Sequence, residues 1–567
     1  MEGKIREAVA RALRELATPA SGGSPDASRS GAFRGAGEVA FTVERPTSLV
    51  HGDYATNAAM AAAKQLGKNP RELADELARR LTDELDDIVS HVAVAGPGFV
   101  NVTLSREAIA LVSAEAAARG EAWGRSTERE SQRVMIEYSN PNAFKEMHIG
   151  HLVGTIIGEA LSRLIENGGA TVARATFGGD IGPNVAKALW GLRARGVDEP
   201  TTAGEIGAAY AAGSNAYDTD PKAKEEIDAL NQAIYAGTDT ALMELWRKGR
   251  DVSVEEFRRL WRLLGTHFDF EFFDSDTTET GVRVVQDGLA KGIFKKSDGA
   301  VIYDGERKGV HTMVFITSHN TPTYEAKDIG LAFLKEERWP SDKSIIVSGN
   351  EQTGRFKTVL AALSEIAPLL AAKTTHVANG FLKLASGKMS SRTGTVITAG
   401  EFIRDIIARA SEKNPDPLVA EQVAVGAIKY MVLRQSPGSD IIFDPEQSLS
   451  LEGDSGPYLQ YALVRAVKLL SYESEDAGGT AEPAAPYAIE RLILHYPEVA
   501  ARAARELSPN LLTAYLTELA SVWNSFYASE QVLGSPEETY KLRVARAFAN
   551  TMLNGLTLLG IPAPEKM

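Results

Sequence analysis

A chain of 567 residues has room for about three or four domains with real cores, and 44% hydrophobic against 24% charged residues is the balance of a globular protein. It contains no cysteine, which excludes a disulfide framework and suits a reducing compartment; a net charge of −14 argues against a broadly basic nucleic-acid surface, though a local groove can still read one RNA by shape. No apolar run is long enough to span a bilayer and the charged amphipathic start has no signal-peptide core, so the chain is expected in the cytoplasm and off the membrane.

Gly3 to Ala17 places Ile5, Val9, Ala12, Leu13 and Leu16 on one helical face, and Ser21 to Gly37 is an aperiodic small-residue stretch. Phe41 to Glu44 alternates like a strand. Asn69-Pro70 offers an N-cap and a first-turn proline to a helix bearing Leu73, Leu77, Leu81, Leu85 and Ile88. Gly96-Pro97-Gly98 splits Val92 and Val94 from Phe99, Val100 and Val102, as in a hairpin. Residues 1–115 therefore read as a small α+β domain.

From about Ser131 strands and helices alternate, and the chain's central stretch is Arg133 to Asn167. It reads strand, polar loop, then a helix opened by His148-Ile149-Gly150-His151. A helix N-terminus there offers free N–H donors and partial positive charge to phosphate, the imidazoles at i and i+3 share a face, and Gly150 lets a flat base lie against the backbone. By itself a His-x-x-His pair is as readily two solvated residues or half a zinc site; with nine histidines, no cysteine and no second ligand cluster, no structural metal is expected. Gly168-Gly169 ends the helix and Thr171 to Thr176 returns as a strand, giving a βαβ unit with its ligand at the carboxyl edge of a parallel sheet. Neither a G-x-G-x-x-G nor a P-loop accompanies it.

Residues 198–261 read as a charged helical insertion, and the sheet resumes at Ser344 to Ser348. Ser386 to Thr395, SGKMSSRTGT, is a basic, hydroxyl-lined loop suited to clamping a polyphosphate, or else an ordinary exposed loop. The expected fold is α/β: a Rossmann-like parallel-sheet catalytic domain over 116–400, between the N-terminal α+β domain and a C-terminal all-α helical bundle over 401–567. In that bundle Tyr458, Tyr461 and Arg465 suit either RNA contact or helix packing with a snorkelling arginine.

The HIGH tetrapeptide, followed about 240 residues later by Lys388-Met389-Ser390-Ser391-Arg392, resembles the paired signatures of class I aminoacyl-tRNA synthetases. The surroundings are similar to the arginyl-tRNA synthetase family. They include Glu137, Asn142 and Lys145 before HIGH, the G-D-x-G of Gly179, Asp180 and Gly182, and the Y-x-x-x-D-I of Tyr324, Asp328 and Ile329. Gln352, the QYA-x-x-R of Gln460 to Arg465, the HGD-Y-ATN of His51 to Asn57 and the closing pattern from Gly555 to Pro564 extend the likeness over nearly the whole chain. Two positions depart: Ser391 replaces the second lysine of the KMSKS pattern, a loss for which Lys145 is taken to compensate, and Arg355 stands where the family often has histidine.

The resemblance implies attachment of L-arginine to tRNA(Arg) through an arginyl-adenylate, with ATP and Mg²⁺ as the substrate complex, tRNA needed for the first step, and a monomeric enzyme. His148, Gly150 and His151 would bind ATP together with Lys388, Met389, Ser390 and Arg392, and His148, His151, Lys145 and Lys388 would be catalytic. Arginine would be held by Glu137, Asn142, Glu279, Tyr324, Asp328 and Gln352, and the C-terminal helices would take the anticodon arm while the N-terminal domain contacts the D-loop side. The alternative is a small-molecule adenylate-forming ligase of the HxGH nucleotidyltransferase type, which leaves the long helical C-terminus without a task. A silent RNA-binding paralogue is opposed by the intact HIGH and Lys388.

Overall fold

The computed structural model describes residues 1–17, 39–46, 48–385, 397–472 and 479–567. They form two compact units: residues 1–124 with 465–499 and 518–554, and residues 125–464 with 500–517 and 555–567.

In the first unit the amphipathic helix Glu2–Ala17 buries Ile5, Val9, Ala12 and Leu13. Asn69 caps the helix Pro70–Glu84, its side chain accepting from the Arg71 amide at 2.9 Å with Pro70 in the first turn. The hairpin Val89–Ala95 and Phe99–Leu104 turns at Gly96-Pro97-Gly98 and extends a four-stranded antiparallel sheet with Tyr54–Thr56 and Val43–Glu44. The HGD-Y-ATN stretch ties this sheet to late helices of the same unit. Buried Asp53 accepts from the Leu104 amide at 2.8 Å and pairs with Arg491; the Tyr54 hydroxyl donates to Glu498 at 2.7 Å.

The second unit is built on a five-stranded parallel sheet in the order Thr374–Asn379, Lys343–Gly349, Arg133–Glu137, Thr171–Gly178, Phe270–Phe273. Arg133–Glu137 is its central strand, buried on both faces, which explains its unbroken apolar run Val134-Met135-Ile136. The helix Ile149–Asn167 crosses back to Thr171–Gly178, and Gly158 lets it pack closely: a Cβ there would lie 2.1 Å from the Tyr138 ring. The stretch expected as an insertion forms the helices Ala203–Thr219, Pro221–Ala236 and Thr240–Leu263 around Leu189, Ile206, Ile227 and Leu242. A small antiparallel sheet of Lys295–Ser297, Ala300–Tyr303 and Met313–Ile316 packs on helices Asp274–Ala290 and Tyr324–Arg338. The α/β layout and the predominantly helical C-terminus agree with the sequence reading, save for the short strand Ile441–Phe443, paired in parallel with Leu382–Leu384.

Candidate active site

Between the central strand and the helix that follows, the backbone is strained: Ser139, Asn140 and Phe144 all have positive φ, at 73°, 53° and 62°. Side chains hold each of them. Trp261 Nε1 donates to Ser139 Oγ at 2.9 Å, Asn140 Oδ1 accepts from the Phe177 amide at 2.9 Å, and the Phe144 amide donates to Ser253 Oγ at 3.1 Å. Asn142 Oδ1 accepts from the Gly179 amide at 3.0 Å, an approach that a Cβ on Gly179 would close, since it would sit 2.4 Å from that oxygen. The loop is thereby fixed to the carboxyl end of the neighbouring strand.

His148 is the N-cap of the helix Ile149–Asn167. Its Nδ1 accepts from the Gly150 amide at 3.1 Å, and His151 Nδ1 lies 3.4 Å from the His148 amide, so both imidazoles carry their proton on Nε2. The rings stack at 3.7 Å. Desolvation, opposed by Glu351 and reinforced by Lys145, lowers the His148 pKa; desolvation followed by the charges of His148 and Lys145 lowers that of His151 well below the usual imidazole range. Both are therefore neutral Nε2–H donors at neutral pH, at the positive end of a helix. Lys145 reaches over the Tyr210 ring at 4.6 Å.

Lys388, Met389, Ser390 and Arg392 lie outside the described residues. The chain on either side of them belongs to this region: Leu382–Leu384 pairs with Ile441–Phe443, and Thr398 bridges His148, with the Ala399 amide donating to the Met147 carbonyl at 2.7 Å. Thr398 also opens the helix Ala399–Lys413 through a capping box with Glu401.

Beside the central strand, Glu137 and Asp328 line one cavity together with Lys335, Ile346 and Phe356. Glu137 is buried, accepting from Lys335 Nζ at 2.7 Å and from Asn140 Nδ2 at 3.0 Å. Asp328, on the helix Tyr324–Arg338, pairs with Arg355, whose Nε donates to Gln352 Oε1 at 2.8 Å. Burial pushes Asp328 up to about 7 against the pull of Arg355, with Glu137, Glu325 and Asp274 adding to the rise. Tyr324 is exposed at the first turn of the same helix.

Glu279 is exposed on the helix Asp274–Ala290, and the carboxylate of that helix in this group is Asp274. Asp274 is buried, pairs with Lys327 at 2.8 Å, and its charge bears on Tyr324 and Asp328. Five residues turn a helix by about 140° beyond a full circle, so the two acids point to different sides. Asp180 of the G-D-x-G sets Asp274 in place, accepting from the Ser275 amide at 2.9 Å and hydroxyl at 2.7 Å. Sequence reading also missed Lys335, Lys327 and His376, which bonds Ser348 at 2.9 Å and is lowered to about 4 by burial and then by Arg355. No local pattern announces any of them.

Tyr458 and Tyr461 are half-buried on the helix Gly456–Leu470. Arg465 on that helix lies 4.2 Å over the Tyr527 ring and donates to Asn524 at 3.4 Å. Among the described residues no group of acids and histidines is arranged to hold a metal ion, and no helix is long and apolar enough to cross a membrane.

Three family models match successive parts of the chain. They are the arginyl tRNA synthetase N terminal domain over residues 3–104, the class I (R) tRNA synthetase catalytic domain over 115–445, and the DALR anticodon binding domain over 459–567. The arginine–tRNA ligase of Treponema pallidum is 28% identical over 99% of both chains, and that of Limosilactobacillus reuteri is 30% identical over 94% of this chain and 96% of its own. The arginyl-tRNA synthetase structure from Thermus thermophilus superposes with a TM-score of 0.81 at 26% identity over 100% of both chains. With the catalytic model matching more than half its length, the chain belongs to the class I arginyl-tRNA synthetases and is an arginine–tRNA ligase, joining arginine to tRNA at the expense of ATP.

Proposed function

We propose that the chemistry runs at the N-terminal end of the helix Ile149–Asn167, with the neutral imidazoles of His148 and His151 donating from Nε2 to phosphate oxygens of ATP. Attack of the arginine carboxylate on the α-phosphate gathers negative charge on those oxygens, and pre-placed neutral donors stabilise it without having to lose a proton. Lys145 and Lys388, with Arg392, hold the leaving pyrophosphate. Gly150 leaves room for the base, and Met389 and Ser390 complete the ATP side. The observation that carries this reading is the stacked, Nδ1-capped pair at the N-terminus of this helix, with the charges of Lys145 and Glu351 both acting on His148.

Asp328 takes the substrate guanidinium, whose planar fork asks for a carboxylate, with Tyr324 alongside; Glu137, Asn142 and Gln352 take the amino-acid backbone end. Glu279 remains assigned to the arginine pocket only by family pattern. The C-terminal helices, Tyr458, Tyr461 and Arg465 among them, face the anticodon arm, and the N-terminal domain over residues 1–115 contacts the D-loop side. ATP enters as its magnesium complex, and the enzyme works in the cytoplasm as a monomer; light scattering in solution tests the last point.

The decisive experiment is ATP–pyrophosphate exchange with each amino acid, with and without tRNA(Arg). Exchange with arginine alone, and only when tRNA is present, is expected. Exchange that ignores tRNA and accepts a non-amino-acid carboxylate would instead favour an HxGH-type small-molecule ligase.

A further inference from the structure

A guanidinium already sits on the carboxylate assigned above to the substrate. Arg355, in the first turn of the helix Thr353–Ile366, pairs through Nη1 with Asp328 Oδ2, donates from Nε to Gln352, and lies 4.6 Å over the Phe356 ring. The cations nearby are already divided among the acids: Lys335 is with Glu137, Lys327 with Asp274, and Arg355 with Asp328. An ionised Asp328 left without its partner would be a buried unpaired charge facing Glu137, Glu325 and Asp274. With Arg355 in place only 10% of the Asp328 side chain is exposed, while Arg355 itself is 20% exposed. A ligand that is to reach both Asp328 oxygens with a two-pronged donor therefore meets Arg355 on Oδ2.

We propose that Arg355 is a resident stand-in for the substrate, neutralising Asp328 in the empty pocket and giving way when arginine enters. This rests on the assignment of Asp328 to the substrate guanidinium. Arginine binding is then an exchange of one guanidinium for another. Its affinity is set by the difference between two similar contacts, and no buried carboxylate is stranded between turnovers. Arg355 acts through Asp328 and Gln352 and is a positioning residue.

The test is steady-state arginylation by the full-length enzyme at about pH 8.5, above the value of about 7 to which burial pushes Asp328 while Arg355 is in place. Arg355→Gln should lower KM for arginine about tenfold while moving KM for ATP less than about twofold. Free guanidinium ion should inhibit the variant competitively against arginine, and at concentrations about tenfold below those that inhibit the unaltered enzyme. Should Arg355→Gln fail to fold, Arg355→His supplies the second variant, with the same direction expected. A KM for arginine that is unchanged or higher in these variants would overturn the proposal, and a rise that Arg355→Lys restores would make Arg355 a fixed wall of the pocket. Failure of the unaltered enzyme to use arginine at all would instead overturn the assignment on which the proposal stands.

Discussion

At its first turn the helix Ile149–Asn167 carries two imidazoles whose inner nitrogens are bonded to the chain and whose outer N–H groups can donate a hydrogen bond; three turns on, every oxygen of Glu159 is already taken. The buried Glu159 carboxylate accepts from Tyr138 at 2.9 Å, Thr266 at 2.7 Å, Arg163 at 2.6 Å and Arg174 at 2.9 Å, and Arg174 goes on to Glu166 at 2.6 Å. Although burial by itself would raise it, the bond and charge of Arg174, then Arg163 and Thr266, hold Glu159 down at about 2. Arg163 also bonds the carbonyls of Thr557 and Gly265, and the buried Lys429 those of Leu264 and Gly560. One end of the helix is a closed ionic network and the other is left with donors for a ligand. The difference teaches that one helix carries two kinds of polar site, a buried one whose charges are all paired with one another and a terminal one whose donors are set by bonds within their own turn.

Mutations at the two ends should separate stability from chemistry. Arg174→Met strands the buried Glu159 and should cost about 3–5 kcal/mol in denaturant unfolding, with kcat per folded molecule nearly unchanged. A comparable fall in kcat would mean the network takes part in catalysis. His151→Ala should do the reverse, lowering kcat by about 10²–10³, or roughly 3–4 kcal/mol of barrier, with an unfolding midpoint close to that of the unaltered protein. Near-normal turnover would remove His151 from the proposed mechanism, and Lys388→Ala should parallel it.

The smallest effect is one of pH. The folded pKa of Glu159 is below its unfolded value, so its contribution to stability is complete above the unfolded pKa and disappears as pH falls toward the folded one. The stability gap between the unaltered protein and Glu159→Gln should therefore narrow by about 1 kcal/mol between about pH 6 and about pH 4. A gap that is constant over this range would show that Glu159 is not held ionised by its arginines.

Much of the scaffold was legible because it is local. The N-cap at Asn69, the hairpin turn at Gly96 to Gly98, and the strand, loop and helix from Arg133 to Asn167 follow from turn chemistry and apolar period. The imidazole pair was legible too, since i and i+3 share a helical face whatever surrounds them.

The proposed arginine pocket was legible only through family pattern, and the partners of its acids were not legible at all. Lys335 meets Glu137 across 198 positions of sequence, Lys327 meets Asp274 across 53, and Arg355 meets Asp328 across 27. The sequence by itself determined where the helix N-terminus lies and which imidazoles stand on it, because those depend on neighbours within a turn. Only the tertiary structure decided which cation neutralises which buried acid, and that Asp274 is the acid of its helix in the group around Asp328. Such pairing is enforced by the cost of burying charge unpaired, which depends on what the packed sheet and helices bring together and leaves no period in the chain.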